Sequence, residues 1–320
     1  MESKTPIVNP AETATFFPER RPQAQHTPWL TWIACVACVA VFGGLVFEPD
    51  HESWQTLSKW GYLPPDRIRN GAYWALLSSV FVHIALWHVA FNLYWLYKLG
   101  APLERAIGSI RWLVFFILAA VVSSGWEFGL TDTTGIGASG VVYAIFGFMW
   151  MARKRFQGFN ESLDQRTIFW FVVWLLGCVA LTLSHVWAVG NAAHISGLAF
   201  GLVAGAYVVC ERRRRLFLSG LAVLVVCAVL PLFWAPWSAD WTSYEGVRAH
   251  ERGDYRSAVK WYQRSLRLGQ DKVWCWSNLA LAYDALEEQT HYNEAIKILR
   301  GIDKQAASKI EVEIMESKQK

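Results

Sequence analysis

The chain has 320 residues, 54% of them hydrophobic, with 19 tryptophans and a formal net charge of only +4. So apolar a composition is too much for one soluble domain of this size and points to several bilayer spans, while so mild a charge gives no reason to expect a nucleic-acid partner. The six cysteines, five of them in apolar runs and none in CxxC or Cys/His zinc spacing, argue against a disulfide framework or a zinc module.

In chain order, residues 1–28 are polar, charged and proline-containing, with no short apolar core before a small-residue cleavage site, and they predict a mature cytoplasmic tail. Seven apolar stretches follow, at 29–47, 80–99, 112–130, 139–152, 168–187, 191–210 and 216–235, each bounded by charges or by Gly and Pro. A helix of about 20 apolar residues crosses a bilayer, so the pattern predicts an all-α polytopic membrane protein with seven spans. The fourth stretch is short and opens on glycines, which predicts a helix whose N-terminal end stops at membrane depth and floors a cavity. Between the first two, 48–79 mixes Trp54, Trp60, Tyr62, Tyr73 and Trp74 with Asp66, Arg67 and Arg69, a composition suited to the membrane interface. Lys and Arg collect in alternate connections: Arg20 and Arg21 before the first span, Lys98, Arg105 and Arg111 after the second, Arg153, Lys154, Arg155 and Arg166 after the fourth, Arg212 to Arg215 after the sixth. The positive-inside rule then puts the N-terminus in the cytoplasm, and an odd number of spans puts the C-terminus outside.

After Trp237 the composition turns soluble, and 239–306 holds two helical pairs in a repeat of about 34 residues, ahead of a charged tail at 307–320. Gly253, Asp254, Tyr255, Ala258, Tyr262 and Leu266 in the first copy, and Trp276, Asn278, Leu279, Tyr283 and Ala295 in the second, resemble tetratricopeptide repeats, with Ser265 where that pattern has Ala. Two repeats bury little core alone, so support is expected from a tail helix near Ile310 to Met315 or from the membrane part.

The chemistry starts at "GIGASGVVYAIFG", residues 135–147. In a helix beginning near Ser139, Ser139, Tyr143 and Gly147 share a face, and Gly135, Gly137 and Ala138 let the entering backbone turn tightly. A hydroxyl there lies close to unbonded N–H groups and the positive helix end, which can stabilise an oxyanion. The competing reading of Gly137, Gly140 and their neighbours is plain small-residue packing between spans. A serine nucleophile needs a base. "NAAHISGLAFGLVAG" supplies His194 beside a stripe of Gly197, Gly201 and Gly205 that lets another helix approach, although a buried histidine bonded to a carbonyl would look the same. "HIALWHVAFN" adds His83, His88 and Asn92, of which His88 and Asn92 face one way and can donate to the oxygen of a tetrahedral intermediate. Metal ligation competes, but no carboxylate is near and a spacing of five is expected to turn His83 from His88.

Together these residues resemble the rhomboid family of intramembrane serine proteases over about 29–211. The pattern HxxxxHxxxN falls on His83, His88 and Asn92, GxSG on Gly137 to Gly140, and AHxxGxxxG on Ala193, His194, Gly197 and Gly201. The resemblance implies a six-helix core, a Ser139–His194 dyad, Tyr143 beside the His194 ring, an oxyanion site from His88, Asn92 and the Ser139 amide, and contact between spans at Gly197. Glu104, with Gly108 four residues on, looks like the family's structural glutamate after the second span. One departure is Ala75 after Trp74, where the family often has Arg, which puts the loop's anchoring in doubt. The span at 216–235 and the repeats are additions to that core.

The expected function is cleavage of transmembrane protein substrates within the lipid bilayer, without cofactor or metal, in a bacterial inner membrane, with the repeats outside and able to hold a protein or peptide partner. Three other readings compete: a non-catalytic rhomboid-like binding or quality-control factor, which usually lacks the serine or the histidine; a proton path or transporter, which calls for embedded carboxylates beyond Glu127; and a repeat module with a membrane anchor, for which seven spans are excessive.

Overall fold

Every backbone N–H and C=O inside a bilayer has to be bonded within the protein, and long apolar runs meet that demand as helices. The computed structural model describes residues 27–319, among which no strand occurs; the tail through residue 26, with Arg20 and Arg21, lies outside the described residues. The chain is an all-α polytopic membrane protein. In order come α1 (Trp29–Val46), the short helices α2 (Trp54–Lys59), α3 (Pro65–Arg69) and α4 (Ala75–Ser78), then α5 (Leu86–Ile107), α6 (Ser109–Thr131), α7 (Ser139–Ala152), the single turn α8 (Phe159–Ser162), α9 (Gln165–Leu183), α10 (Asn191–Val209) and α11 (Arg214–Val229). α1, α6, α9, α10 and the stretch Glu211–Leu232 around α11 are each long and apolar enough to cross a membrane, and α7 is a shorter apolar helix of 14 residues.

The second apolar stretch is not one helix from residue 80. Ala75–Phe81 and Leu86–Ile107 meet at a bend of 102°, because Val82 (ψ 131°) and Ala85 (φ −132°, ψ 139°) are extended. His83 therefore sits in the break and not on the span. At the other end α5 runs past residue 99 to Ile107, with Pro102 inside it, so Glu104 lies within this helix and not after it.

α7 is the centre of the bundle, buried at every position from Gly140 to Met149. Gly197 and Gly201 of α10 face the Gly140 and Ala144 carbonyls of α7 so closely that a Cβ on either would overlap them; without a hydrophobic force between helices in lipid, such backbone approach is what holds two spans together. Ile33 and Val36 of α1, Phe169 and Leu176 of α9, and Leu218, Val223 and Val226 of α11 stay exposed, as lipid-facing sides require. Glu104, fully buried, accepts from the Leu30 N–H (3.2 Å), the Thr31 N–H (2.8 Å), the Thr31 hydroxyl (2.8 Å) and the Ser109 hydroxyl (2.6 Å). Helix α1 has no side-chain cap of its own, so this carboxylate satisfies its first orphan N–H groups from another span.

α11 lies on α6 where Gly125 faces the Ala228 carbonyl and Gly129 faces Pro231, and it turns through Leu230–Leu232 toward α12 (Ala239–Glu251), α13 (Tyr255–Arg267), α14 (Lys272–Ala285), α15 (Gln289–Ile302) and α16 (Lys304–Gln319). Two helical pairs bury Ala249, Ala258, Tyr262, Leu279, Ala295 and Leu299 between them. Ser265 is fully buried, and its hydroxyl donates to the Ala239 carbonyl at 2.9 Å, so a polar side chain is satisfied where the repeat pattern has Ala. α16 lays Ala307, Ile310 and Ile314 on the same core, while Met315 is exposed. The division at 306/307 thus falls inside one helix, α16, which packs on the pairs. Ala75, at the position where Arg was expected, is fully buried against Ile68, Phe128 and Leu232, and its small side chain leaves room for the end of the added seventh span.

Candidate active site

The loop that enters α7 turns on glycines. Gly135 (φ +72°) and Gly137 (φ +98°) hold left-handed conformations that cost little only for residues without a Cβ. A Cβ on Gly137 would also come within 2.8 Å of His88 and 3.1 Å of His83, so the same residue makes room for both rings. Ser139 is the first residue of α7, whose cap residue Ala138 makes no side-chain hydrogen bond. The first N–H groups of α7 thus have no side-chain cap.

His194, on the first turns of α10 and 5% exposed, places Nε2 2.8 Å from Ser139 Oγ. Its Nδ1 finds no partner among the described residues. The Tyr143 ring lies 4.8 Å from the His194 ring at 36°, and its hydroxyl donates to the Phe171 carbonyl of α9 at 3.1 Å, which fixes the ring that backs the imidazole. His88 and Asn92, one turn apart on α5, open into the same cavity as Ser139. The Asn92 amide donates to the His88 carbonyl at 3.0 Å, which leaves its second hydrogen free.

The expected divergence of His83 and His88 is wrong: the rings meet edge to face at 5.0 Å, because the break before α5 frees His83 from helical spacing. His83 Nδ1 lies 3.1 Å from the Phe81 carbonyl and Nε2 lies 3.4 Å from the Ala138 N–H. A proton on Nδ1 suits both contacts, so His83 is a support for the turn that carries Ser139. Among the described residues no group of three or more His, Cys, Asp or Glu side chains could hold a metal ion. Gly140 and Gly197 form the contact between the helices of Ser139 and His194. Glu104 takes no part in the cavity; its partners are at the start of α1 and at Ser109, the first residue of α6.

The cavity, about 1200 Å³ in volume, runs from Ser139 between α5 and α9, where Trp87 meets Trp187 at 4.9 Å and Phe91 meets Trp174 at 5.6 Å. One of its lining residues has a position that spacing gave no sign of. Glu127, on α6, accepts from the Ala193 N–H at 2.9 Å and from the Thr131 hydroxyl at 3.2 Å. The only signal in the sequence was an ionisable side chain inside an apolar run.

Residues 70–211 match the family model for the rhomboid domain. That stretch contains all the residues just described. The chain is similar to the rhomboid protease GlpG of Serratia proteamaculans, at 34% identity over 149 residues, which cover 46% of this chain and 52% of that protein. It is also similar to the rhomboid proteases GlpG of Yersinia pseudotuberculosis and Yersinia pestis, each 37% identical over 131 residues, covering 41% of this chain and 46% of those proteins. The chain thus spans about half the length of the curated relatives it matches.

Proposed function

We propose that this protein is an intramembrane serine endopeptidase that cleaves transmembrane protein substrates through Ser139 and His194. The observation that carries the reading is the 2.8 Å contact between Ser139 Oγ and His194 Nε2 at the head of the cavity; the rhomboid-domain match and the rhomboid protease relatives support it. His194 Nε2 takes the hydroxyl proton as Oγ bonds to the scissile carbonyl carbon, and the carbonyl oxygen becomes an oxyanion held by the Ser139 N–H, His88 and Asn92. The imidazolium then gives its proton to the leaving amine as the C–N bond breaks. A water, deprotonated by the same nitrogen, releases the acyl group and restores Ser139. No cofactor is needed. The substrate helix has to unwind locally, since a helical peptide bond is hydrogen-bonded and shielded in lipid. A serine-directed fluorophosphonate probe tests the assignment: the wild type is labelled and Ser139→Ala is not, and equal labelling of both would end it.

The oxyanion site carries its own expected result. One such donor is worth about 3 kcal/mol, so Asn92→Ala lowers kcat roughly 100-fold while other donors remain. Turnover near wild type in both His88→Ala and Asn92→Ala removes these residues from the site.

The orientation is part of the same proposal: N-terminus in the cytoplasm, seventh span crossing outward, and the repeats outside, near the mouth of the cavity, as a tetratricopeptide-like unit able to hold a peptide or folded partner in a bacterial inner membrane. Arg212 to Arg215 at the start of the seventh span favour this sense. Cys275 is a poor probe, because it is fully buried and burial pushes its thiol up to about 11, away from the reactive thiolate. Ser308 on α16 is exposed. In a chain carrying Ser308→Cys and Cys210→Ser, an impermeant maleimide is expected to label cells whose inner membrane is intact. Labelling only after that membrane is opened would place the repeats in the cytoplasm.

A further inference from the structure

A buried carboxylate joins the two halves of the candidate dyad, and the chemistry proposed above gives it no task. Glu127 is 4% exposed. Its Oε2 accepts from the N–H of Ala193, the residue before His194, and its Oε1 accepts from Thr131 at the end of its own helix. Both loops of the site close over this side chain: a Cβ on Gly135, ahead of Ser139, would touch Glu127 Cγ at 3.4 Å, and one on Gly190, ahead of His194, would touch its Cδ at 3.5 Å. Helix α10 begins after Gly190 with no side-chain cap of its own, so Glu127 supplies an acceptor to its first turn from a neighbouring span.

We propose that Glu127 is a positioning residue for the dyad: by accepting the Ala193 N–H it fixes the first turn of α10, and with it His194, in register with Ser139. This rests on the Ser139–His194 reading. The seam of Gly197 and Gly201 against Gly140 and Ala144 sets how near α10 comes to α7, but small residues offer little resistance to sliding along the seam. A directed hydrogen bond at the end of α10 does resist it. The proton-transfer contact of 2.8 Å depends on that register, and a misplacement of about 1 Å costs roughly 100-fold in rate. What the site needs from Glu127 is an acceptor at the right reach; the charge itself is not required, and an uncompensated charge at this depth is a burden.

Reach and charge separate in two variants. Glu127→Gln keeps the reach and removes the charge, and its amide can donate to Thr131; Glu127→Asp keeps the charge and falls short by about 1.5 Å. With a model transmembrane substrate, Glu127→Asp and Glu127→Ala are expected to lose roughly 10- to 100-fold in kcat with KM within about a factor of two, while Glu127→Gln retains at least about a third of wild-type kcat. Fluorophosphonate labelling per folded molecule slows in the same order, which a loss of folded protein alone would not produce. Wild-type kcat in Glu127→Asp overturns the proposal, and so does Glu127→Gln as impaired as Glu127→Asp, since that makes charge the operative property. If Glu127→Ala does not fold, the Asp and Gln pair still decides. Ser139→Ala runs beside them: cleavage by that variant sinks the dyad itself, whatever the Glu127 variants do.

Discussion

Ser139→Ala and His194→Ala are each expected to bring cleavage of a model transmembrane substrate below detection while the protein stays folded. The proposed chemistry uses the two side chains as one unit, and losing either member of such a unit costs on the order of 10⁶-fold in kcat. Both substitutions remove atoms from a cavity wall and leave the interlocked backbone of α7 and α10 intact, because the contact there is made by Gly140, Ala144, Gly197 and Gly201. Ser139→Ala should therefore unfold at nearly the wild-type temperature. His194→Ala also removes the ring against Tyr143 and should cost somewhat more stability. Because the effects are not additive, the double variant is expected to be no slower than either single one. The check is cleavage of the substrate in proteoliposomes with unfolding followed in parallel; a folded His194→Ala protein that still cleaves at a tenth of the wild-type rate would mean that another base serves Ser139.

The residues brought together around Ser139 were legible to the degree that they follow a period. Ser139 and Tyr143 share a face by helical spacing, and the glycines at 197, 201 and 205 mark an approach that the backbone of α7 in fact makes. The start of α7 at Ser139 was readable because Gly135 and Gly137 can take positive φ where other residues cannot. What was not legible has a common physical cause. The bend before α5 is made by Val82 and Ala85, residues that carry no turn signal, so His83 was read on a span and its contact with His88 was missed. Glu127 and Glu104 each cap a helix far along the chain, at Ala193 and at Thr31. Hydrogen bonds between elements depend on packing and leave no trace in local spacing. The supporting tail helix was legible, since Ile310 and Ile314 are apolar at a helical interval, but the division at 306/307 was not, because Ala307 becomes a core residue only against the surface that the two helical pairs form.

The other large effect is expected at Arg69, where the C-terminal helices α12 to α16 meet the membrane part. This guanidinium has 1% of its side chain exposed and pairs with Asp132 at 2.7 Å; it also donates to the Pro231 carbonyl at 2.9 Å and lies 4.7 Å from the Phe128 ring centroid. Burial pulls its pKa down and Asp132 opposes that pull. Asp132 accepts in addition from the hydroxyl of Ser238 at 2.6 Å, and Ser238 accepts from the Trp241 N–H at 2.8 Å as the cap of α12. One cluster thus joins the last residue of α3, the residue that opens the Ser139 loop, the turn after α11 and the start of α12. Trp237 to the Gly129 carbonyl (2.8 Å) and Tyr244 to Asn70 (2.7 Å) reinforce it. Removing one member of a buried pair strands the other charge, at a cost of about 3–5 kcal/mol, so Arg69→Ala should lower the unfolding midpoint by roughly 10 °C and open the 233–239 joint to proteolysis. Replacing both partners by apolar side chains of similar size, Arg69→Met with Asp132→Leu, strands nothing and should recover most of that loss. Thermal unfolding and limited proteolysis of the three proteins in the same detergent separate the cases. An Arg69→Ala protein with wild-type stability and an intact joint would mean that α6 and α11 alone carry helices α12 to α16, and that the ion pair adds nothing to how they are mounted.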